Sequence, residues 1–160
     1  MIDQEQDQAW MRAALKEACN SSTFNEVPVG AVITDGNILL ASEGNRPIST
    51  SDPTSHAEIN AIRAASQHLD NYRLPGTTIY VTLEPCIMCM GAIIHSRIKR
   101  LVFGAYDPKT GAAISQYQIG TDGQLNHKLI VQGGLLEEEC SALLKSFFRG
   151  RRSNHLPPSR

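Results

Sequence analysis

Residues 82–91 read Thr82-Leu83-Glu84-Pro85-Cys86-Ile87-Met88-Cys89-Met90-Gly91, TLEPCIMCMG. A strand-forming run, TTIYVTLE over 77–84, ends in Pro-Cys and offers a second cysteine three residues later, at the head of an apolar helical segment reaching about Ile98. On such a strand-to-helix turn, Cys86 and Cys89 can point from one face of the first helical turn, where the helix dipole favours thiolate. Two thiols at this spacing admit three readings: a redox pair, half of a structural zinc site, or most of a catalytic one.

Outward from this stretch, the chain alternates helical and strand patterns. Trp10, Met11, Ala14, Leu15 and Ala18 lie at helical spacing over 3–19, predicting an amphipathic opening helix. VPVGAVIT and NILLASE (27–34 and 37–43) read as a hairpin turning around Asp35-Gly36. The Pro/Ser-rich loop NRPISTSDPTS (45–55) precedes HAEINAIRAASQHL (56–69), a helix opened by His56. RLVFGAY (100–106) and KLIVQG (128–133) complete a set of five strands, residues 106–127 read mostly as loop, and 136–151 form a closing helix. The pattern predicts one α/β domain over 1–152, a three-layer α/β/α sandwich with a mixed five-stranded sheet, followed by a disordered tail over 153–160. If the strands preceding the two central helices are neighbours, the starts of those helices converge.

The composition narrows the function classes. With 160 residues and 41% hydrophobic content, the chain suits one core. Its acidic, polar start lacks an apolar leader segment, and nowhere does it hold the roughly 18 consecutive apolar residues of a membrane span, so a soluble, cytoplasmic protein is expected. Four cysteines without a secretion signal point to metal binding or chemistry and not to a disulfide framework. The net charge of −1 argues against a protein that coats nucleic acid by bulk attraction. Its distribution is uneven, however: residues 1–96 carry 5 Lys/Arg against 11 Asp/Glu, and residues 97–160 carry 10 against 5. One face can therefore be locally basic.

Structural zinc sites are closed by four protein ligands, whereas catalytic zinc keeps one position for water. His56, Cys86 and Cys89 supply three ligands, while Cys19 and Cys140, each within a predicted helix, read as buried, inert thiols. Glu58, two residues beyond His56, can lie beside the metal's water without ligating it. Zinc brings the pKa of that water toward neutrality, and an adjacent carboxylate can carry a proton from it to a leaving nitrogen. The arrangement suits hydrolytic deamination.

His-x-Glu followed about thirty residues later by Pro-Cys-x-x-Cys is the signature of zinc-dependent nucleobase deaminases. With EVPVGAV (26–32), NRPI (45–48), DPTSHAEI (52–59), NYRL (71–74), TLEPCIMCMGAIIHSRI (82–98), VFGAYDPKTGA (102–112), Asn126-His127 and FFRGRR (147–152), the chain resembles the bacterial tRNA-specific adenosine deaminases from about Trp10 to Arg152. This resemblance implies a cytidine deaminase-like fold, a homodimer, one zinc per chain, and conversion of the wobble adenosine of an arginine tRNA with an ACG anticodon to inosine. It also implies zinc ligation by His56, Cys86 and Cys89, proton shuttling by Glu58 and a nucleoside contact from Asn45. Asp107, Lys109, Asn126, Phe148 and Arg149 become candidates for the anticodon loop, with Arg151 and Arg152 as further phosphate contacts. Two departures stand out. Ile114 occupies a position where similar sequences carry glycine, and SQYQIGTDGQL (115–125) follows no family pattern.

Each supporting residue also has a plainer role. Asn45 before Arg46-Pro47 can be a turn former, Asp107 can cap its Tyr-Asp-Pro loop, and Phe147 and Phe148 can be core. His68, His95 and His155 read as structural or surface residues. Two other function classes remain: a deaminase of a free base or nucleoside (cytidine, cytosine or guanine), and a non-catalytic zinc or redox module. The redox reading leaves His56-x-Glu58 unexplained, and the structural-zinc reading requires a fourth protein ligand.

Overall fold

The computed structural model describes residues 3–154. Asp3 opens the first helix, α1 (Gln4–Thr23), by accepting the backbone N–H groups of Glu5 and Gln6 on its carboxylate. The hairpin follows as β1 (Gly30–Asp35) and β2 (Ile38–Gly44), turning at Gly36 with φ +56°. Then come α2 (Ala57–Leu69), β3 (Thr78–Leu83), α3 (Ile87–His95), β4 (Arg100–Ala105), β5 (Ile130–Gln132) and α4 (Glu137–Asn154). Every predicted element is present, with shifted ends. β1 starts three residues after Val27 because Pro28 has no N–H for a ladder. α3 stops at His95, before Ser96 and the left-handed Arg97 (φ +62°) turn the chain toward β4. Ser153 and Asn154, expected in the tail, continue α4, and the rest of the tail, His155 included, lies outside the described residues.

The five strands form one mixed sheet in the order β2-β1-β3-β4-β5, antiparallel through β3 and parallel from β3 to β5. The period-2 alternation of a strand sorts its side chains into two layers. Ala31, Ile33, Ile79, Val81, Leu101 and Phe103 face α2 and α3, packing with Ala57, Ala61, Ala65, Met90 and Ile93. The intervening Val32, Tyr80 and Val102 pack with Met11 and Ala14 of α1 and Cys140 of α4. Both faces of the central strands are thereby dry, and each fully buried aliphatic side chain contributes about 1.5–3 kcal/mol. The α1 backbone lies directly on β1: a Cβ at Gly30 would fall 1.9 Å from the Ala14 carbonyl oxygen, so only glycine fits.

Under α1 lies a buried polar network. Arg100 grips Asp7 through Nη1–Oδ1 and Nη2–Oδ2 contacts of 2.9 and 2.6 Å, and the Tyr80 hydroxyl donates to Asp7 Oδ1 at 2.7 Å. No helix among the described residues is long and apolar enough to cross a membrane.

The strands preceding α2 and α3 are not neighbours, contrary to the condition set above, because β1 lies between β2 and β3. The starts of the helices meet because loop 45–55 carries the chain from the end of β2 back over β1. The loop is pinned at its ends by Arg46 N–H to the Ser55 carbonyl at 2.9 Å, and at its base by Asn60, which donates to the carbonyls of Gly44 and Ser55.

Candidate active site

His56 and Cys86 occupy the N-cap positions of α2 and α3 with extended backbone, and neither side chain caps its helix. The usual capping residues are absent at both, which leaves imidazole and thiol free for other partners while the positive ends of two helix dipoles converge between them. Cys89, one turn into α3, is fully buried. Cys86 Sγ and Cys89 Sγ lie 3.7 and 3.5 Å from His56 Nδ1, and the three potential ligand atoms all fall within 4.8 Å of one another. One imidazole nitrogen and two sulfurs at such separations can share a metal with bonds of about 2.0–2.3 Å, and this soft donor set suits zinc. The residues fit the metal, and they are the cluster of this kind among the described residues.

Electrostatics favour a cation here. Hydrogen bonding from the Cys89 thiol is the largest influence on Cys86 and, with His56, pulls its pKa down to about 4. Sharing that proton drives the Cys89 pKa upward, reinforced by burial. His56 is raised, chiefly by its hydrogen bond to Cys86. Glu58, 4% exposed in the first turn of α2, has its pKa raised to about 7 by burial, against the opposing pull of Cys89 and His56. A buried carboxyl of this kind, beside three potential metal ligands, is placed to exchange a proton with a group bound there.

Neither remaining cysteine can close the site. Cys140 is buried against the far face of the sheet, as expected. Cys19 is exposed on α1, where a buried thiol was expected, because it follows the buried Ala18 and so turns away from the sheet.

Next to the ligands lies a cavity of about 190 Å³ lined by Val27, Val29, Asn45, His56, Glu58, Leu83, Glu84, Pro85, Cys86, Asp107 and Thr110. Its small volume, with Val27, Val29, Leu83 and Pro85 as apolar walls among convergent polar groups, suits one planar base better than a larger ligand. Two walls depend on buried acids that the motif reading passed over. Glu26, fully buried, accepts the N–H groups of Ile48 and Ser49 and so holds the loop carrying Asn45. Asn45 itself is buried and donates to the Val27 carbonyl at 3.3 Å. Glu84, 2% exposed, accepts from the backbone of Asp107, Ile114 and Ser115 and from the Ser115 hydroxyl. Burial alone would raise the Glu84 pKa, but these four donors outweigh it and hold the carboxyl below its ordinary range. Gly111 passes so close that a Cβ there would lie 2.3 Å from Glu84 Oε2. The sequence signal for both acids was a carboxylate at the edge of an apolar strand-like run, Glu26 before VPVGAV and Glu84 after TIYVTL. Ile114, expected to depart from a glycine position, adopts no left-handed backbone and offers its N–H to Glu84, so its side chain is tolerated.

A second, wider cavity of about 720 Å³ shares Asp107 and Thr110 with the first and lies between Lys109 of the same loop and Lys145, Phe148, Arg149 and Arg152 of α4. Phe148 is 42% exposed, so it is not core, whereas Phe147 is half-buried. Asp107 caps its own turn, accepting the N–H groups of Lys109 and Thr110 and the Thr110 hydroxyl. The structure thus brings Asn45, Asp107, Lys109, Phe148 and Arg149 to the two adjacent cavities. Asn126 lines neither, and accepts from Arg97 at 3.3 Å. Arg151 lies on the other flank of α4, apart from Arg149 and Arg152, and donates to the Asn25 carbonyl. His68 and His95 are on the surface, as expected.

This geometry has known counterparts. Residues 4–105 match the cytidine and deoxycytidylate deaminase zinc-binding region. The chain is 51% identical to the tRNA-specific adenosine deaminase of Haemophilus influenzae, covering 94% of this chain and 88% of that one. The chain belongs to the tRNA-specific adenosine deaminase family. To the Bacillus subtilis member it is 41% identical over 90% of this chain and 89% of the relative. A structure solved in a study of A-to-I editing by tRNA:A34 deaminases at the wobble position superposes with a TM-score of 0.82 at 43% identity, covering 85% of this chain and 99% of that one. A guanine deaminase from Nitrosomonas europaea has the same fold, with a TM-score of 0.77 at 25% identity over 88% of this chain and 83% of that one. The chain is therefore a zinc-binding deaminase of the cytidine deaminase fold.

Proposed function

We propose that the enzyme hydrolytically deaminates adenosine to inosine at the wobble position of a tRNA, the substrate being an arginine tRNA with an ACG anticodon. The observation that carries this reading is that the small ligand-side cavity lies next to the basic groove, the two sharing Asp107 and Thr110 as a common wall. A free base needs only the first cavity. A nucleotide still joined to its neighbours needs a path for the phosphates on either side, and an anticodon loop presents splayed bases at low unstacking cost.

In this reading His56, Cys86 and Cys89 hold one zinc per chain, which when bound supplies the Lewis acidity that brings a water toward deprotonation near neutral pH. Val27, Val29 and Leu83 pack the flipped base, and Asn45 contacts its nucleoside. Glu58 takes the proton of the attacking water and delivers protons to the purine ring and to N6. Water oxygen bonds to C6, the C6–N6 bond breaks, and ammonia leaves. Lys109, Arg149 and Arg152 neutralise flanking phosphates, Phe148 offers a ring for a neighbouring base, and Asp107 and Asn126 complete the candidate RNA contacts.

The assembly proposed is a cytoplasmic homodimer. Ile87 and Ile114, 52% and 41% exposed, flank Glu84-Pro85 and provide apolar surface for a second copy. Light scattering of the zinc-loaded chain tests this. The functional experiment compares an ACG-anticodon stem-loop with free adenosine, cytidine and guanine under identical conditions. Inosine in the stem-loop, with slow or no turnover of the free compounds, is expected; ready turnover of free cytidine or guanine without inosine in RNA would overturn the reading.

A further inference from the structure

The two flanks of α4 do different work. One, carrying Lys145, Phe148, Arg149 and Arg152, lines the basic groove. The other, carrying Phe147 and Arg151, faces the end of α1 and the turn at Asn25. Cys140, in the first turn of α4, is fully buried and Leu144 packs against both core layers, but no residue after Leu144 belongs to either layer, so the last turns, 145–154, have little apolar burial to fix them on the sheet. A helix held this way depends on tethers. The Arg12–Glu139 ion pair, at 2.9 Å, ties down its start. At the far end, Arg151 Nη2 donates to the Asn25 carbonyl at 2.8 Å while its guanidinium stacks 4.8 Å over the Phe147 ring.

We infer that Arg151 is a positioning residue for substrate, which sets the rotation of α4, and with it the groove-facing cations, without touching RNA. The inference rests on the RNA reading above. The partner of Arg151 is well chosen for the purpose, because Asn25 sits in a left-handed backbone conformation (φ +60°) immediately before Glu26, whose buried carboxylate organises the loop of Asn45. Val27, two residues on, lines the base cavity and accepts from Asn45. One guanidinium therefore registers the phosphate-binding flank of α4 against the wall of the base cavity, so that nucleoside and backbone are met at a fixed separation.

The test compares Arg151→Ala, Arg151→Lys and Arg149→Ala in the zinc-loaded full chain, with three readouts: hydrogen exchange of the 145–154 amides without RNA, kcat and KM on the stem-loop, and the salt dependence of RNA binding. Arg151→Ala is expected to speed exchange across 145–154, raise KM about tenfold and leave kcat within about twofold. Its salt slope is expected to match the wild type, and Arg151→Lys should recover part of the loss. Arg149→Ala should instead reduce the slope by about 0.7 with exchange unchanged. A slope reduced by Arg151→Ala to the same extent would make Arg151 a direct phosphate contact and overturn the inference, as would unchanged exchange or an unchanged KM. If the wild type fails to deaminate RNA, the functional reading falls, while the exchange arm still decides whether Arg151 fixes α4.

Discussion

The Ser115 hydroxyl donates to Glu84 Oε1 at 2.5 Å, tying the long loop before β5 to an acid one residue before the Pro-Cys turn. Glu84 sits where β3 hands over to α3, and its other acceptor sites are filled by N–H groups from the loop that forms the outer wall of the base cavity. It links the turn that carries Cys86 and Cys89 to a wall with no regular secondary structure.

Glu84→Gln replaces an acceptor-only group by one that must also donate, into a site with donors on every side. Loss of charge-assisted hydrogen bonds costs about 1.5–3 kcal/mol. The variant is expected to melt lower and to show a raised KM with its zinc retained. Zinc analysis, thermal melting and steady-state kinetics check this; an unaltered melting temperature would mean that the four contacts are not made in solution.

Metal content follows from the donor set. The purified chain should carry about one zinc in a site of one His, two Cys and a solvent ligand, measurable by elemental analysis and X-ray absorption. Cys86→Ser or His56→Ala should lose most of the metal, whereas Cys19→Ser and Cys140→Ala should not. A site of four protein ligands would contradict the open position that the chemistry needs.

Glu58→Ala is expected to abolish measurable turnover with zinc still bound. General acid-base work of this kind contributes typically 10²–10⁴-fold, and Glu58 lies beside the ligand cluster without belonging to it. Metal content and single-turnover kinetics, measured together, separate this role from ligation. Loss of zinc in the folded variant would reassign Glu58 to the metal.

Much of this was legible in the chain because the chemistry sits on element boundaries. His56 and Cys86 were readable as helix starts, and the five strands and four helices stood out by periodicity. Sheet order was not, since the reading had no means to place β1 between β2 and β3, and the convergence of α2 and α3 depends on a loop whose anchors, Glu26 and Asn60, act through long-range hydrogen bonds. The fate of Arg151 was equally hidden: Arg149, Arg151 and Arg152 look alike as a charge run, and only the azimuth of α4 separates them. Burial of Asp7 and Arg100 needed the sheet itself, because an acid in the first turn of a helix ordinarily faces solvent.

The Asp7–Arg100 pair predicts a pH dependence of stability. Burial works to raise the Asp7 pKa, but hydrogen bonds from Arg100 and Tyr80 outweigh it, and the folded value lies below the ordinary one. A depressed carboxyl pKa means that the unfolded chain binds more protons, so this stabilisation is fully present above the unfolded value of about 3.9 and is lost as pH falls through the folded value. Arg100→Met would leave the carboxylate buried without its partner, at a cost of about 3–5 kcal/mol, and the Asp7→Asn/Arg100→Met double variant should recover part of that. Denaturant titrations at pH 7 and pH 3 check both points. An Arg100→Met loss unchanged between the two would remove the charge argument.

The groove along α4 carries the last expectation, and its sign does not depend on which nucleotides lie there. Lys109, Lys145, Arg149 and Arg152 line the groove with one acid, Asp107, whose carboxylate is already occupied by its own turn, while Glu137 and Glu138 lie near Lys145 and Arg149 on the adjoining side of α4. A polyanion displaces counterions as it enters such a groove, and for single-stranded RNA each neutralised phosphate contributes about −0.7 to the slope of log affinity against log salt. Lys145→Ala and Arg152→Ala should each flatten that slope by about this amount, with zinc content and melting temperature unchanged, since neither side chain supports the core. Binding isotherms of an anticodon stem-loop at four or more salt concentrations give the slope directly. If all four cations can be removed singly without changing it, the phosphates run elsewhere, and the groove along α4 is not the path of the RNA.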